Sequence, residues 1–493
     1  MNYKMMGKFM AQILMVEGVF MIPALFISLG YGEYPTMWSF LVSIVACVLV
    51  SLLLHLFCKG APSAFYAKEG LVCVGISWIV LSLFGCLPFF LSREIPRFVD
   101  AFFEIVSGFT TTGSSVVANV ESLSHGIIYW RSFSNWLGGM GVLVFLLAFT
   151  GNQGKGFTMH LLRAESPGPN VGKLVPKMRT TAGILYLIYI GMTIVNFLFL
   201  VFGRMPVFDA VCSALSTAGT GGCGIKNDSF ASFSPYIQNV TTVFMILFAV
   251  NFSCYYLLLL GQFKAVFKDE ELRVFFGIII GAIVLITLDI RSMYGTLEES
   301  IRHAAFQVGT LISSTGFASA DFDLWPSFSK AVLMCLMVVG ACAGSTGGGL
   351  KVARMLLVFK SLGRNIRQTL NPRKVQVVRN NGGVVSEKVL DNTNAYLAAY
   401  VLILFISFVI VSLDKFSLAS NFSAVLSCMN NMGPGFEAVG PTCNYAGYSA
   451  LSKLVLCLDM LLGRLEIFPI LVLVSHTTWK RLVLFCFFDF FER

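Results

Sequence analysis

Long apolar runs dominate the chain, and short semi-polar stretches interrupt them at regular intervals. Ten runs stand out, at roughly residues 9–30, 36–58, 70–92, 126–150, 181–203, 236–262, 274–294, 328–360, 395–413 and 450–475. Each is close to the ~20 residues an α-helix needs to cross ~30 Å of hydrocarbon. None shows the short alternating segments of a membrane β-barrel. Between alternate pairs of runs lie four shorter stretches, near 98–115, 207–224, 301–319 and 419–436. They are too short, and too rich in Gly, Ser and Thr, to span alone. The pattern predicts re-entrant segments, in which a short helix dips into the bilayer and an extended loop returns. Such backbone is tolerated at membrane depth only where protein buries it or water wets it. Four of them therefore imply a central pathway.

Composition narrows the class. Of 493 residues, 56% are hydrophobic and 12% charged, against about 25% charged in soluble domains. The first run, Phe9 to Leu29, is too long for the apolar core of a signal peptide and reads as a retained span. Thirteen cysteines are scattered, several, such as Cys47 and Cys86, inside apolar runs, and the five histidines are isolated. No metal-ligand spacing appears, so packing is the expected role of the cysteines. No paired nucleophile and base stands out either, which argues against an intramembrane enzyme.

The net charge of +9 reads as topology rather than as a nucleic-acid partner. If the N-terminus and every second loop share one side, that side collects 24 Lys and Arg, nine of them between Lys351 and Lys388, against 10 opposite. Excess positive charge marks the cytoplasmic face, so both termini are expected there.

The four semi-polar stretches align on one glycine: Gly113, Gly222, Gly316 and Gly433. A polar residue (Asp100, Asp209, His303 or Ser420) stands thirteen positions before each, and mostly apolar helix lies between. The predicted fold is an all-α polytopic membrane protein with about ten transmembrane helices and four re-entrant pore helices. Four pseudo-symmetric helix–pore loop–helix repeats surround one pore, and two extra N-terminal helices lie outside them. The expected division is 1–68 for the extension, then 69–180, 181–273, 274–394 and 395–493 for the repeats.

The loop chemistry suits a dehydrated cation, which needs carbonyl oxygens aimed at one axis in place of its water shell. Glycine tolerates the backbone angles this requires. The expected ion-binding residues are Thr111, Thr112 and Gly113; Thr220, Gly221 and Gly222; Ser314, Thr315 and Gly316; and Asn431, Met432 and Gly433. Oxygen ligands without a carboxylate suit a weakly hydrated monovalent ion, since Ca²⁺ sites recruit carboxylates. Each short helix would also bring its negative dipole end toward the cation.

Several motifs then resemble the Trk/Ktr superfamily of potassium transporters, its TrkH-like membrane subunits in particular. These are Phe109-TTTGSS, Trp136-LGGMG-Val142, Leu161-LRAESPGP-Asn170, Gly340-ACAGSTGGGLK, Asn430-NMGPG and Gly463-RLEIFP. The resemblance covers essentially the whole chain and implies K⁺ as the bound and transported ion, with no covalent cofactor. It also implies a homodimer in a bacterial inner membrane, and a separate cytosolic TrkA-like nucleotide-binding subunit docked on basic loops near 151–180 and 361–394. Neither loop holds a dinucleotide fingerprint of its own. Anionic lipid is the other partner expected for the basic loops. Ser114, Ser115 and the glycine-rich second loop depart from the family's commonest residues.

The stretch Gly340–Gly349 is too rich in Gly and Ser for a stable helix. By resemblance it is a movable loop beneath the filter, with Gly344, Ser345, Thr346, Gly347, Gly348 and Gly349 as gating residues. Arg464 lies inside the last span, where an arginine costs roughly 2.5–3.5 kcal/mol and usually faces a pore or a partner. A structural ion pair with Glu466 or Asp459 would explain it locally; the resemblance puts it in the ion pathway with the loop. Glu104 is expected to brace the first loop, and Glu17 has no evident partner. The alternative to a channel-like pore is an H⁺- or Na⁺-coupled symporter. Such transporters usually have inverted repeats, whereas two spans between re-entrant stretches keep these repeats in one orientation.

Overall fold

The structure is a computed structural model that describes residues 2–60, 67–141 and 178–475. The motif Leu161–Asn170 and the loop at 151–177 lie outside the described residues. Two helices, Tyr3–Gly30 and Tyr34–Phe57, pack along each other as an N-terminal hairpin. Four units then follow the same plan. Outer helices are Ala67–Gly85, Met178–Phe202, Glu270–Ile290 and Glu387–Val411. Pore helices are Phe98–Phe109, Val207–Gly219, Leu297–Ile312 and Leu418–Met429. At 12 to 16 residues they are too short to cross the bilayer.

The pore helices sit inside the molecule because their sequences are amphipathic toward protein on nearly every side. From Ala101 to Phe109 only Phe102 escapes full burial in the first, and from Ser420 to Met429 only Phe422 in the fourth. Outer helices by contrast expose rows of large apolar side chains, such as Ile280, Val284 and Leu288, or Leu402, Phe405 and Val409. A bilayer is the solvent that suits them.

About ten transmembrane helices were expected, one of them interrupted at Gly340–Gly349; among the described residues six helices are long and apolar enough by themselves to cross a membrane, or seven if one bent pair counts as a span. The difference lies in the second helix of each repeat. The run at 236–262 is two helices, Pro235–Phe248 and Phe252–Leu259, bent by 90°. The run at 450–475 breaks between Arg464 and Phe468, where Glu466 and Ile467 have positive φ. The first inner helix, His125–Gly139, stops with Gly141 at φ +78°. The third, Ser327–Val339, resumes only at Val352. The Gly340–Gly349 break was legible from its Gly and Ser; hydropathy continues through the others, so the apolar pattern alone cannot reveal those.

Candidate functional site

The four re-entrant loops share one backbone design. Each pore helix ends with a non-glycine residue in the left-handed region, Thr111, Thr220, Ser314 and Asn431, all with φ between +54° and +58°. Its amide donates to the carbonyl three residues back: Thr111 to Gly108 (3.0 Å), Thr220 to Thr217 (3.0 Å), Ser314 to Leu311 (3.2 Å) and Asn431 to Cys428 (3.2 Å). The next amide reaches five residues back: Thr112 to Ser107 (2.8 Å), Gly221 to Ser216 (3.0 Å), Thr315 to Thr310 (2.8 Å) and Met432 to Ser427 (3.0 Å). This pair of bonds is the Schellman motif. It satisfies two orphan carbonyls at each helix end and turns the chain sharply. The aligned glycine follows one residue later at positive φ: +81°, +62°, +90° and +91° for Gly113, Gly222, Gly316 and Gly433.

The loops contact one another in a closed cycle. A Cβ on Gly113 would lie 2.4 Å from the Gly221 carbonyl oxygen, and one on Gly222 1.9 Å from that of Thr315. One on Gly316 would lie 2.3 Å from the Met432 oxygen, and one on Gly433 2.9 Å from that of Thr112. Loop one thus abuts two, two abuts three, three abuts four, and four returns to one. All four glycines also line a single cavity on the side of the outgoing loops, with Ser115, Lys226 and Tyr445 on its walls. Gly113, Gly222, Gly316 and Gly433 and the carbonyls of Thr112, Gly221, Thr315 and Met432 are therefore brought together in one ring. No side chain larger than hydrogen fits at the glycines, because each neighbour is a backbone carbonyl.

Side chains brace this ring rather than fill it. Thr112 Oγ1 bonds Thr110 Oγ1 at 2.8 Å, and Thr315 Oγ1 bonds Ser313 Oγ at 2.6 Å. The Asn431 amide turns sideways, donating to Thr112 Oγ1 (3.0 Å) and the Met460 carbonyl (2.9 Å). Glu104 braces loop one as expected, accepting from the Val116 amide (3.0 Å) and Ser115 Oγ (3.0 Å); it also pairs with buried Arg131 at 2.7 Å. Lys453 of the fourth repeat reaches Asp100 of the first at 2.6 Å. A regularity unread in the sequence is a hydroxyl six residues before each glycine: Ser107, Ser216, Thr310 and Ser427, all buried behind the loops.

The loop Gly340–Lys351 lies directly beneath the ring. A Cβ on Gly347 would lie 2.6 Å from the Ser313 carbonyl oxygen, and one on Gly348 2.3 Å from that of Asn430. The Gly348 amide donates to Ser314 Oγ, one of the residues expected to bind an ion. The loop's other polar groups are satisfied by the broken inner helices. Cys342 N donates to Ala249 O (3.1 Å), Thr346 Oγ1 to Phe248 O (3.1 Å), and Phe252 N to Gly344 O (3.0 Å). The break in the second inner helix is therefore the cradle of the loop, and the two irregular segments satisfy each other's backbone where no lipid could.

Arg464 joins the remaining breaks. Its guanidinium donates to the Thr346 carbonyl of the loop (2.9 Å) and to the Gly138 and Gly139 carbonyls at the end of the first inner helix. Glu466 pairs instead with Arg354, and Asp459 accepts from Ser407 at 2.7 Å. The two local acids considered for Arg464 thus have other partners, and its guanidinium reaches backbone carbonyls. Lys351, buried and at φ +70°, donates to the Gly347 carbonyl. Glu271, at the head of an outer helix, was missed in the sequence because an acid in a first turn is commonplace. Here one of its oxygens accepts from the amides of Ala343 (2.6 Å) and Ala353 (3.2 Å), tying both ends of the loop.

Comparison with known proteins places this architecture. The family model TrkH, described as a cation transport protein, matches residues 37–480. The Trk system potassium uptake protein TrkH of Salmonella typhimurium is 35% identical over 84% of this chain and 86% of its own. That of Halomonas elongata is 32% identical over 98% of this chain and all of its own. The crystal structure of the potassium transporter TrkH from Vibrio parahaemolyticus superposes with a TM-score of 0.87 at 28% identity, covering 97% of this chain and all of that one. A multi-pass helical membrane protein with this loop ring and these relatives belongs to the TrkH family of cation transport proteins, which are transporters and not enzymes.

Proposed function

We propose that this chain is the membrane subunit of a Trk-type potassium uptake system and conducts K⁺ through the ring formed at Gly113, Gly222, Gly316 and Gly433. The observation that carries this reading is the cyclic order of the four loops, each pressing a backbone carbonyl against the glycine of its neighbour. Such a ring offers neutral oxygens in a fixed frame, which suits an ion that sheds its water readily. Thr111, Thr112, Thr220, Gly221, Ser314, Thr315, Asn431 and Met432 complete the filter segments.

The loop containing Gly344–Gly349 is the gate in this reading. It packs against residues on the near side of the ring, and Arg464 holds it there while placing a positive charge under the filter. Opening requires the loop to leave Ser314 and Arg464. A cytosolic TrkA-like nucleotide-binding subunit supplies that work by docking near 361–394, where Arg364, Arg367, Arg373 and Lys374 stand exposed or partly so. The protein works as a homodimer in a bacterial inner membrane, each protomer with its own pore and with both termini cytoplasmic. The repeats divide at residues 69, 181, 274 and 395.

The test is ion flux through purified protein in liposomes, comparing K⁺, Rb⁺, Na⁺ and Li⁺. Uptake that prefers K⁺ and Rb⁺, with single-channel current, supports the pore. Tightly coupled movement of K⁺ with H⁺ or Na⁺ and no current favours the symporter instead.

A further inference from the structure

We propose that the fourth repeat withholds its filter-glycine carbonyl from the shared axis, and that Tyr445 and Ser427 are the positioning residues that hold it back. This rests on reading the four loops as a K⁺ filter and goes beyond it, because it makes one quarter of the filter chemically unlike the rest.

Three hydroxyls converge on the Gly433 carbonyl oxygen. Ser427 Oγ donates from the pore helix behind the loop at 2.8 Å, Tyr445 Oη from the outer loop at 2.8 Å, and Ser114 Oγ from the first loop at 3.0 Å. A carbonyl has two lone pairs, so three donors leave none for an ion. Among the described residues, no side chain donates to the carbonyl of Gly113, Gly222 or Gly316. The hydroxyls equivalent to Ser427 behave differently there. Ser216 Oγ donates to the Cys223 carbonyl, one residue past the glycine, at 3.2 Å. Ser107 Oγ and Thr310 Oγ1 are buried with no hydrogen-bond partner among the described residues. A latch position thus exists in all four repeats, and only the fourth closes it on the glycine.

Tyr445 is fixed for this task. Its ring is buried, packed against Phe103 and Tyr448 with centroids 5.6 and 6.0 Å away. Its amide donates to the Ser115 carbonyl at 2.8 Å, which ties the outer loop of repeat four to the outgoing loop of repeat one. The phenol therefore cannot swing away without disturbing two repeats. Alkali-ion discrimination follows the number and field strength of the coordinating carbonyls. At the glycine level the ring then offers three free carbonyls and one spent on hydroxyls, making the outermost site weak and easy to leave.

The experiment substitutes Tyr445→Phe and Ser427→Ala, singly and together, in the full-length protein, and measures K⁺ and Na⁺ flux in liposomes with thermal unfolding as control. Phe keeps the ring packing, and Ala at 427 leaves the backbone carbonyl that accepts Met432 in place. With Ser114 Oγ its one remaining donor in the double variant, the Gly433 carbonyl regains a lone pair for an ion at the axis. The expected result is a several-fold rise in K⁺ over Na⁺ preference and a several-fold lower half-saturating K⁺ concentration, larger in the double variant. A purely structural role would lower the unfolding temperature without raising discrimination, and that outcome overturns the proposal, as does an unchanged ratio in folded variants. If Tyr445→Phe does not fold, Ser427→Ala and Ser114→Ala decide by the same readout. Wild-type protein without any K⁺ preference ends the filter reading itself; a selective wild type with unmoved variants ends only this inference.

Discussion

Replacing Gly222 by alanine is the sharpest perturbation of the proposed filter that the geometry offers. Gly222 has φ +62°, a conformation that costs an L-residue roughly 1–2 kcal/mol. The added methyl would sit 1.9 Å from the Thr315 carbonyl oxygen, 1.5 Å short of the 3.4 Å at which ordinary contact begins. Thr315 cannot easily yield. Its amide is bonded to Thr310 O at 2.8 Å and its hydroxyl to Ser313 Oγ at 2.6 Å. Either the third loop moves or the second unwinds, and each displaces a ring oxygen by more than an ion can follow. Since every ~1.4 kcal/mol is a factor of ten, the strain and the lost coordination together predict at least about a tenfold fall in K⁺ uptake with loss of discrimination against Na⁺. The same substitution at the other glycines grades the effect, because the corresponding approaches are 2.3 Å at Gly316, 2.4 Å at Gly113 and 2.9 Å at Gly433. The assay is K⁺ and Na⁺ flux in liposomes, with growth on limiting K⁺ of a bacterium lacking its own uptake systems as a second readout. Wild-type selectivity in a folded Gly222→Ala protein would refute the reasoning, and so would greater damage at Gly433 than at Gly222.

Three further outcomes are expected. Arg464→Ala removes donors to Thr346, Gly138 and Gly139 and should raise K⁺ flux in the absence of any regulatory subunit; unaltered flux would remove Arg464 from the gate. Glu271→Ala strips the acceptor from two buried amides, at about 1–3 kcal/mol each, and should likewise raise basal flux, whereas Glu271→Gln keeps an acceptor oxygen and should stay near wild type. In the outer loop of repeat three, burial pushes the Asp323 carboxyl up to about 6, against the lowering effect of the Glu437 amide it accepts from. A raised carboxyl contributes stability that is complete below its unfolded value near 4 and is lost as pH rises through about 6. Asp323→Asn should therefore raise the unfolding temperature at pH 7 and make no difference near pH 4; a pH-independent shift would contradict this.

Much of the site was legible because its signals are local. A glycine column at Gly113, Gly222, Gly316 and Gly433, each preceded by a short apolar segment, marks both the repeat and the loop. Apolar length separates the outer helices from the pore helices. The same column also carries the hydroxyls Ser107, Ser216, Thr310 and Ser427, which can be read once the four segments are stacked. The breaks in the inner helices, apart from the Gly340–Gly349 stretch, could not be read this way. Around Ala249–Asn251 hydropathy stays high, and Asn251 is the one polar hint. Its carboxamide caps the next helix by accepting from Ser253 N at 2.8 Å, a role that appears only once the bend exists. The break at Leu465–Ile467 is set by what Arg464 finds across the bundle. Glu271 likewise depends on a loop more than seventy residues away. Tertiary partners decide these features, and composition does not see tertiary partners.

The four left-handed residues before the filter show how strain and function meet. Thr111, Thr220, Ser314 and Asn431 are each held where glycine would be easier, at a cost of order 1–3 kcal/mol per site. The Schellman bonds fix the backbone in every case, so the side chains must have other tasks, and these differ by repeat. Asn431 ties loop four to loop one, and Ser314 receives the gate through the Gly348 amide. Thr220 Oγ1 bonds only its own neighbour's carbonyl, at Gly219. Glycine at 220 should relieve local strain, offset in part by the roughly 0.5–1 kcal/mol of extra chain entropy lost on folding, and leave flux and selectivity near wild type. Glycine at 314 relieves the same strain but deletes the contact that seats the gate under the filter. Ser314→Gly should thus unfold at a temperature close to that of Thr220→Gly while conducting more K⁺ without a regulator. Equal basal flux in the two variants would show that Ser314 is only a turn residue and that the gate is held elsewhere.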